Sequence, residues 1–141
     1  TAPSSKNTRS THIAVTRDKR IMEIVSRMRT SGSAFVKDAP LLFFIMGDDS
    51  QTDLWRENCA ISATMLQLAA ESLGLGSCWV HVNGRPHDQD NPEGITAGEY
   101  LHEELPQLRP YRILCVIAAG YPEMSHRPHD MAIDPEKVIL L

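Results

Sequence analysis

Cysteine is scarce: three in 141 residues, Cys59, Cys78 and Cys115. So few cannot build a disulfide framework. Each lies in an apolar run, so buried, reduced thiols are expected, as in a reducing cytoplasm. Long hydrophobic runs are missing too. No stretch approaches the ~18 apolar residues a membrane-spanning helix needs, and none has the pattern of a secretory signal. Basic runs are also missing. Arg17, Lys19, Arg20, Arg27 and Arg29 cluster, but Asp18 and Glu23 interleave, and the formal net charge is −4. That reads as a solvated helix face and argues against a nucleic-acid partner. No internal repeat is present. The composition left over, 42% hydrophobic, suffices for one globular domain with a real core. The chain begins at Thr1, without methionine and in mid-loop, so earlier residues are expected in the natural protein. Residues 1–141 are read as a single domain lacking its N-terminal segment.

Residues 1–10 are rich in Ser, Thr and Asn and read as loop. His12 to Thr16 alternates polar and apolar residues, as a strand does. Asp18 suits the cap of a helix carrying Ile21, Val25 and Met28 on one face, with Arg27 and Arg29 at its C-terminal end. After Pro40, Leu41 to Met46 is a continuous apolar run, read as a strand buried on both faces. Ser50 and Asp53 have capping-box spacing and open the longest predicted helix, about residues 51–73. Trp55, Cys59, Leu66, Ala69 and Leu73 form one apolar seam of it, and Leu54, Ile61, Met65 and Leu68 another. A helix this apolar must be covered on most sides, so a subunit interface through it is expected. Gly74 is a natural left-handed stop, and Ser77 to Val82 a short strand. Residues 83–95 read as a polar loop. Thr96 and Glu99 then form a capping box, Pro106 ends that helix, and Tyr111 to Ala119 is a last buried strand. Strands alternating with helices imply an α/β or α+β sandwich with helices on both sheet faces.

Two segments carry chemistry. In Leu73-Gly74-Leu75-Gly76-Ser77-Cys78-Trp79-Val80-His81-Val82 a helix stops on glycine, turns tightly and becomes a strand, bringing bare backbone close to a neighbour. Ala2-Pro3-Ser4-Ser5-Lys6-Asn7 is a loop of small polar groups. Together they make a flavin site the leading reading. The glycines follow a helix rather than a strand, so they are not a dinucleotide fingerprint. Ser4 and Ser5 lack the context of a nucleophile elbow. His81, His87 with Asp88, His102, and His126 with His129 and Asp130 fit no recognised metal spacing.

The order of these segments resembles the nitroreductase family. Ala2 to Asn7 is similar to the family's Pro-Ser-x-x-Asn loop, Asp38-Ala39-Pro40 with its apolar strand to the next element, Leu66 to Trp79 to the most recognisable segment, and Arg112 to Pro122 to the last core strand. The resemblance implies an α+β, three-layer α/β/α sandwich with a mixed sheet flanked by helices. It implies a homodimer with two FMN sites at the subunit interface. Pro3, Ser4, Ser5 and Asn7 of one subunit would meet the flavin's pyrimidine edge, and Arg9 its carbonyl edge. Trp79, Val80, His81 and Val82 would lie beside the ring, with backbone N–H groups near N5. Arg127 matches a basic position that often reaches the phosphate. The activity implied is transfer of electrons from NAD(P)H through FMN to a small electron-poor acceptor such as a nitroaromatic or quinone, with no acid, base or nucleophile supplied by the protein. Two other readings stay open: a non-catalytic flavin-binding or structural dimer of the same fold, and a metal-dependent hydrolase built on the histidine-rich loops.

Overall fold

Four strands and three helices follow one another along the chain of the computed structural model, which describes residues 2–123 and 135–139. In order they are β1 (Thr11–Thr16), α1 (Lys19–Ser26), β2 (Leu41–Gly47), α2 (Trp55–Ser72), β3 (Gly76–His81), α3 (Ala97–Glu104) and β4 (Arg112–Gly120). The strands form one sheet in the order β1-β2-β4-β3. Among the described residues all three pairings are antiparallel, where a mixed sheet was expected. The cause is how the connections return. α1 leads outward and residues 27–40 come back along it. The Lys19 ammonium, at the helix start, donates to the carbonyls of Lys37 and Ala39 at 3.2 and 3.0 Å. β2 therefore starts beside the end of β1, with Thr16 opposite Leu42. β2 and β3 do run in the same direction, joined by α2, but β4 lies between them.

Strand side chains alternate between two cores. Leu42, Phe44 and Met46 join Val80, Val82, Val116 and the inner residues of α1 and α3, Met22, Val25 and Leu101. Ile45, Leu114, Cys115 and Ile117 join Trp55, Cys59 and Ala63 of α2 on the other face. The register shifts where Ile45 faces Cys115 and Met46 faces Ile113, so Leu114 is an extra residue. Such a bulge lets two consecutive residues, Leu114 and Cys115, serve one core.

Local signals hold well. The Asp18 carboxylate accepts from the Arg20 N–H and caps α1. Thr96 and Glu99 form a complete capping box on α3. Gly74, with φ +73°, ends α2. Three expectations need correction. Ser50 does not cap α2: its hydroxyl and N–H turn back onto Asp48, and α2 starts only at Trp55 with no side-chain cap. Met28 is buried, but beyond the end of α1. Cys78 is exposed, unlike Cys59 and Cys115.

α2 buries Trp55, Cys59, Ala63 and Ala70. Its other seam is open in one chain: Ile61 is 38%, Met65 44% and Leu68 61% exposed.

Candidate functional site

The first cluster begins with the loop ahead of β1. Lys6, Asn7 and Arg9 take φ of +48°, +54° and +52°. Non-glycine residues rarely enter this region, and each costs ~1–3 kcal/mol, so something must hold the loop. That residue is Asn58, on α2 and 2% exposed. Its Oδ1 accepts from the Ser5 N–H at 2.8 Å. Its Nδ2 donates to the hydroxyls of Ser10 at 3.0 Å and Thr8 at 3.4 Å. The Ser4 hydroxyl accepts from the Arg9 N–H at 3.0 Å and closes the loop on itself. Pro3, Ser4, Arg9, Thr11, Ile13 and Ser62 then line a cleft of about 200 Å³. Sequence reasoning missed Asn58. The signal was one amide three residues after Trp55 and beside Cys59, within an otherwise apolar seam.

The second cluster lies on β3. Val80 and Val82 are buried in the core, and the Val82 N–H donates to the Leu114 carbonyl at 3.0 Å. Antiparallel ladders alternate, so Trp79 and His81 turn their N–H groups to the outer edge of the sheet. Their side chains stand together: the Trp79 Nε1–H donates to His81 Nδ1 at 3.3 Å, with the rings 10° from parallel. Burial, and then the Arg85 and Arg29 charges, hold the His81 imidazole below its usual range. It is neutral at pH 7, as an Nδ1 acceptor must be.

The structure brings Ser4, Ser5, Asn7 and Arg9 together, and separately Trp79 and His81. It does not join the two groups within one chain. β1 and β3 are opposite edges of a four-stranded sheet, about 14 Å apart at the usual strand spacing. Arg127 lies outside the described residues. Another cleft, of about 360 Å³ and lined by Arg17, Leu41, Leu75 and Tyr121 among others, contains none of the predicted site residues. Among the described residues no group of three His, Cys, Asp or Glu side chains is arranged to hold a metal. Each cluster offers donors to a flat, electron-rich edge, one of them with a full positive charge.

A family model described as the nitroreductase family matches residues 22–121. The chain belongs to the nitroreductase family. The FMN-dependent nitroreductase of Clostridium difficile R20291 is 37% identical, with a TM-score of 0.90 over 99% of this chain and 79% of that one. A relative from Methanothermobacter thermautotrophicus is 31% identical over 98% of this chain and 68% of its own; it bears the provisional name NADH dehydrogenase/NAD(P)H nitroreductase. A nitroreductase with bound FMN from Desulfitobacterium hafniense DCB-2 is 19% identical, covers 99% of this chain and 80% of its own with a TM-score of 0.68, and bears on the fold. These nitroreductase folds match the α+β architecture with its antiparallel sheet and three helices. No helix among the described residues is long and apolar enough to cross a membrane.

Proposed function

We propose that this chain is an FMN-dependent oxidoreductase of the cytoplasm that moves electrons from NAD(P)H to a small electron-poor acceptor, such as a nitroaromatic or quinone. The observation that carries the reading is the pair of polar edges, the Ser4–Arg9 loop and the outer edge of β3 at Trp79 and His81, in a chain of the nitroreductase family. FMN, when bound, supplies the chemistry, because its N5 accepts and passes on a hydride. The residues present fit such a group. Pro3, Ser4, Ser5 and Asn7 offer small surfaces and hydrogen-bonding groups to a pyrimidine edge, and Arg9 offers a cation to its carbonyls. Trp79 and His81 offer N–H donors and a flat wall, while Val80 and Val82 anchor that wall in the core. Arg127 is proposed for the phosphate. The protein's task is orientation and electrostatics.

The reading includes a homodimer. The two edges lie at opposite sides of the sheet, so a second copy must supply one of them to each flavin. The open seam of α2, Ile61, Met65 and Leu68, gives that copy an apolar surface to cover.

Incubation with FMN, removal of free flavin and anaerobic addition of NADH or NADPH tests the reading. Retained yellow colour, bleaching by the nucleotide and recovery on adding a nitroaromatic or quinone are expected. Protein that retains no flavin overturns it. Protein that retains flavin but is never bleached is the non-catalytic module instead.

A further inference from the structure

We propose that Arg29 and Arg85, with the Nε2–H of His81, form an anion subsite at the outer edge of β3 that takes the acidic group of an aromatic electron acceptor, such as a nitrobenzoate. The inference rests on the FMN reading above and deepens it by naming the class of acceptor.

Two arginines stand apart from the rest. Among the described residues, Arg20, Arg27 and Arg112 meet carboxylates. Arg9 and Arg56 donate to the side-chain oxygens of Asn7 and Asn83, and Arg109 donates to the His102 carbonyl. Arg17, Arg29 and Arg85 have neither a carboxylate nor another acceptor. Arg17 lines the cleft at the other end of β3, beside Leu75. Arg29 and Arg85 both stand close enough to His81 for their charges to act on its ring. The backbone holds them there. The His87 Nδ1–H donates to the Met28 carbonyl at 2.9 Å, and the Thr30 N–H donates to the His87 carbonyl at 2.9 Å. These bonds pin the residues on both sides of Arg29 to the loop that carries Arg85. Arg85 is fixed in turn, its N–H donating to the Val82 carbonyl at 3.1 Å and its carbonyl accepting from the Ala97 N–H at 2.8 Å. Arg29 has a further mark. Its Nε is, among the described residues, the one buried side-chain nitrogen or oxygen without a hydrogen-bond partner, a costly state for a donor.

The Trp79 Nε1–H donates to His81 Nδ1, so the neutral imidazole carries its proton on Nε2 and has only a donor left to offer. The two guanidinium groups are donors only as well. Asp88, the acidic residue nearest to Arg85 along the loop, turns its carboxylate to the Asp90 N–H at 3.0 Å. Two like charges with no counter-charge between them repel. A bound anion removes that repulsion, and a bound cation would add to it. A carboxylate suits the place, because its two oxygens can meet two N–H groups of one guanidinium. The Trp79–His81 pair, with rings 10° from parallel, gives an aromatic body a flat wall beside the charges. An acceptor that lays its ring on the wall and turns its carboxylate to Arg29 and Arg85 uses both features.

The test compares wild type, Arg29→Gln and Arg85→Gln. Arg85 is exposed, so its replacement leaves the core intact. In the first arm, benzoate and its neutral twin benzamide are titrated into FMN-loaded protein while NMR follows the His81 imidazole. Benzoate is expected to shift the Nε2 resonance and to bind about tenfold more weakly to each variant. Benzamide binding is expected to stay within about threefold throughout. In the second arm, the ratio of kcat/KM for 4-nitrobenzoate to that for 4-nitrobenzamide is expected to fall about tenfold in each variant, with NADH and NADPH alike. Benzoate that leaves the His81 resonance unmoved, or an unchanged ratio in either variant, overturns the proposal. So does a loss that follows the change from NADH to NADPH, since the cations would then serve the nucleotide's phosphates. Wild type that retains no FMN refutes the FMN reading itself, and benzoate titration of that protein still judges the subsite.

Discussion

Replacing Asn58 by alanine tests the reasoning about the loop most directly. The side chain makes two good hydrogen bonds, to the Ser5 N–H at 2.8 Å and the Ser10 hydroxyl at 3.0 Å, and a long one to Thr8 at 3.4 Å. Ser10 is fully buried, so its hydroxyl cannot turn to water. A buried group left unpaired costs ~1–3 kcal/mol. The Ser10 hydroxyl is one such group, the Ser5 N–H is only half-buried and the Thr8 bond is long, which together place the loss at about 3 kcal/mol at most, a large part of the ~5–15 kcal/mol of a typical domain. For a chain of this size that is a fall in Tm of about 10 °C. Asn58→Asp keeps an acceptor for the Ser5 N–H and lets both hydroxyls donate, but it buries a carboxylate, so it restores the loop's hydrogen bonds without restoring full stability. Urea unfolding at one fixed protomer concentration measures both variants. Hydrogen exchange at the Ser5 amide reports the loop alone and is expected to speed up in Asn58→Ala before any global unfolding. An Asn58→Ala protein within ~0.5 kcal/mol of wild type, the range of neutral surface changes, would refute the role given to this residue.

Met65→Arg places a charge in the open seam of α2 between Ile61 and Leu68; sedimentation velocity should show dimers of the wild type and monomers of the variant, and a monomeric wild type would sink the dimer. Gly47→Ala pushes a methyl to 2.7 Å from Trp55 Cε3 and 3.0 Å from Cys59 Sγ. Both neighbours are core side chains, so urea unfolding should register a loss of ~1–3 kcal/mol. His81 binds its proton more weakly folded than unfolded. Its contribution to stability is therefore complete above the unfolded value near 6.5 and declines as pH falls below it. Urea midpoints should drop in that window for wild type and be flatter for His81→Gln; superimposable profiles would refute the assignment.

What could be read from the sequence was what neighbours along the chain decide. Thr96 and Glu99 are three residues apart, and the capping box forms as expected. Gly74 stops its helix for a reason internal to glycine. The Leu41–Met46 run, which no polar residue interrupts, forms an inner strand with Leu42, Phe44, Ile45 and Met46 buried and Leu41 and Phe43 half-buried. What could not be read depends on distant partners. One miss was local, since Ser50 had the spacing of a cap but Asp48, two residues earlier, took its hydrogen bonds; the others were not. Strand order pairs Leu42 with Ala118, a choice no local window contains. Asn58 was overlooked for the same reason. Its partners Ser5, Thr8 and Ser10 lie about fifty positions away, so its polarity looked like a blemish in an apolar seam. The predicted loop residues and the β3 residues each proved to be neighbours within their own group, but their separation across the sheet was invisible until the strands were ordered.

That separation has a genetic corollary. When each catalytic centre draws one wall from either subunit, injuries to different walls cancel in part. In the proposed dimer, co-expressing a chain damaged at Ser4 and Arg9 with a chain damaged at Trp79 and His81 should yield hybrids in which both lesions fall on the same centre and the other centre is whole. Neither parent alone has an undamaged centre. Rescue by mixing two inactive proteins would thus trace directly to β1 and β3 standing at the two rims of one sheet.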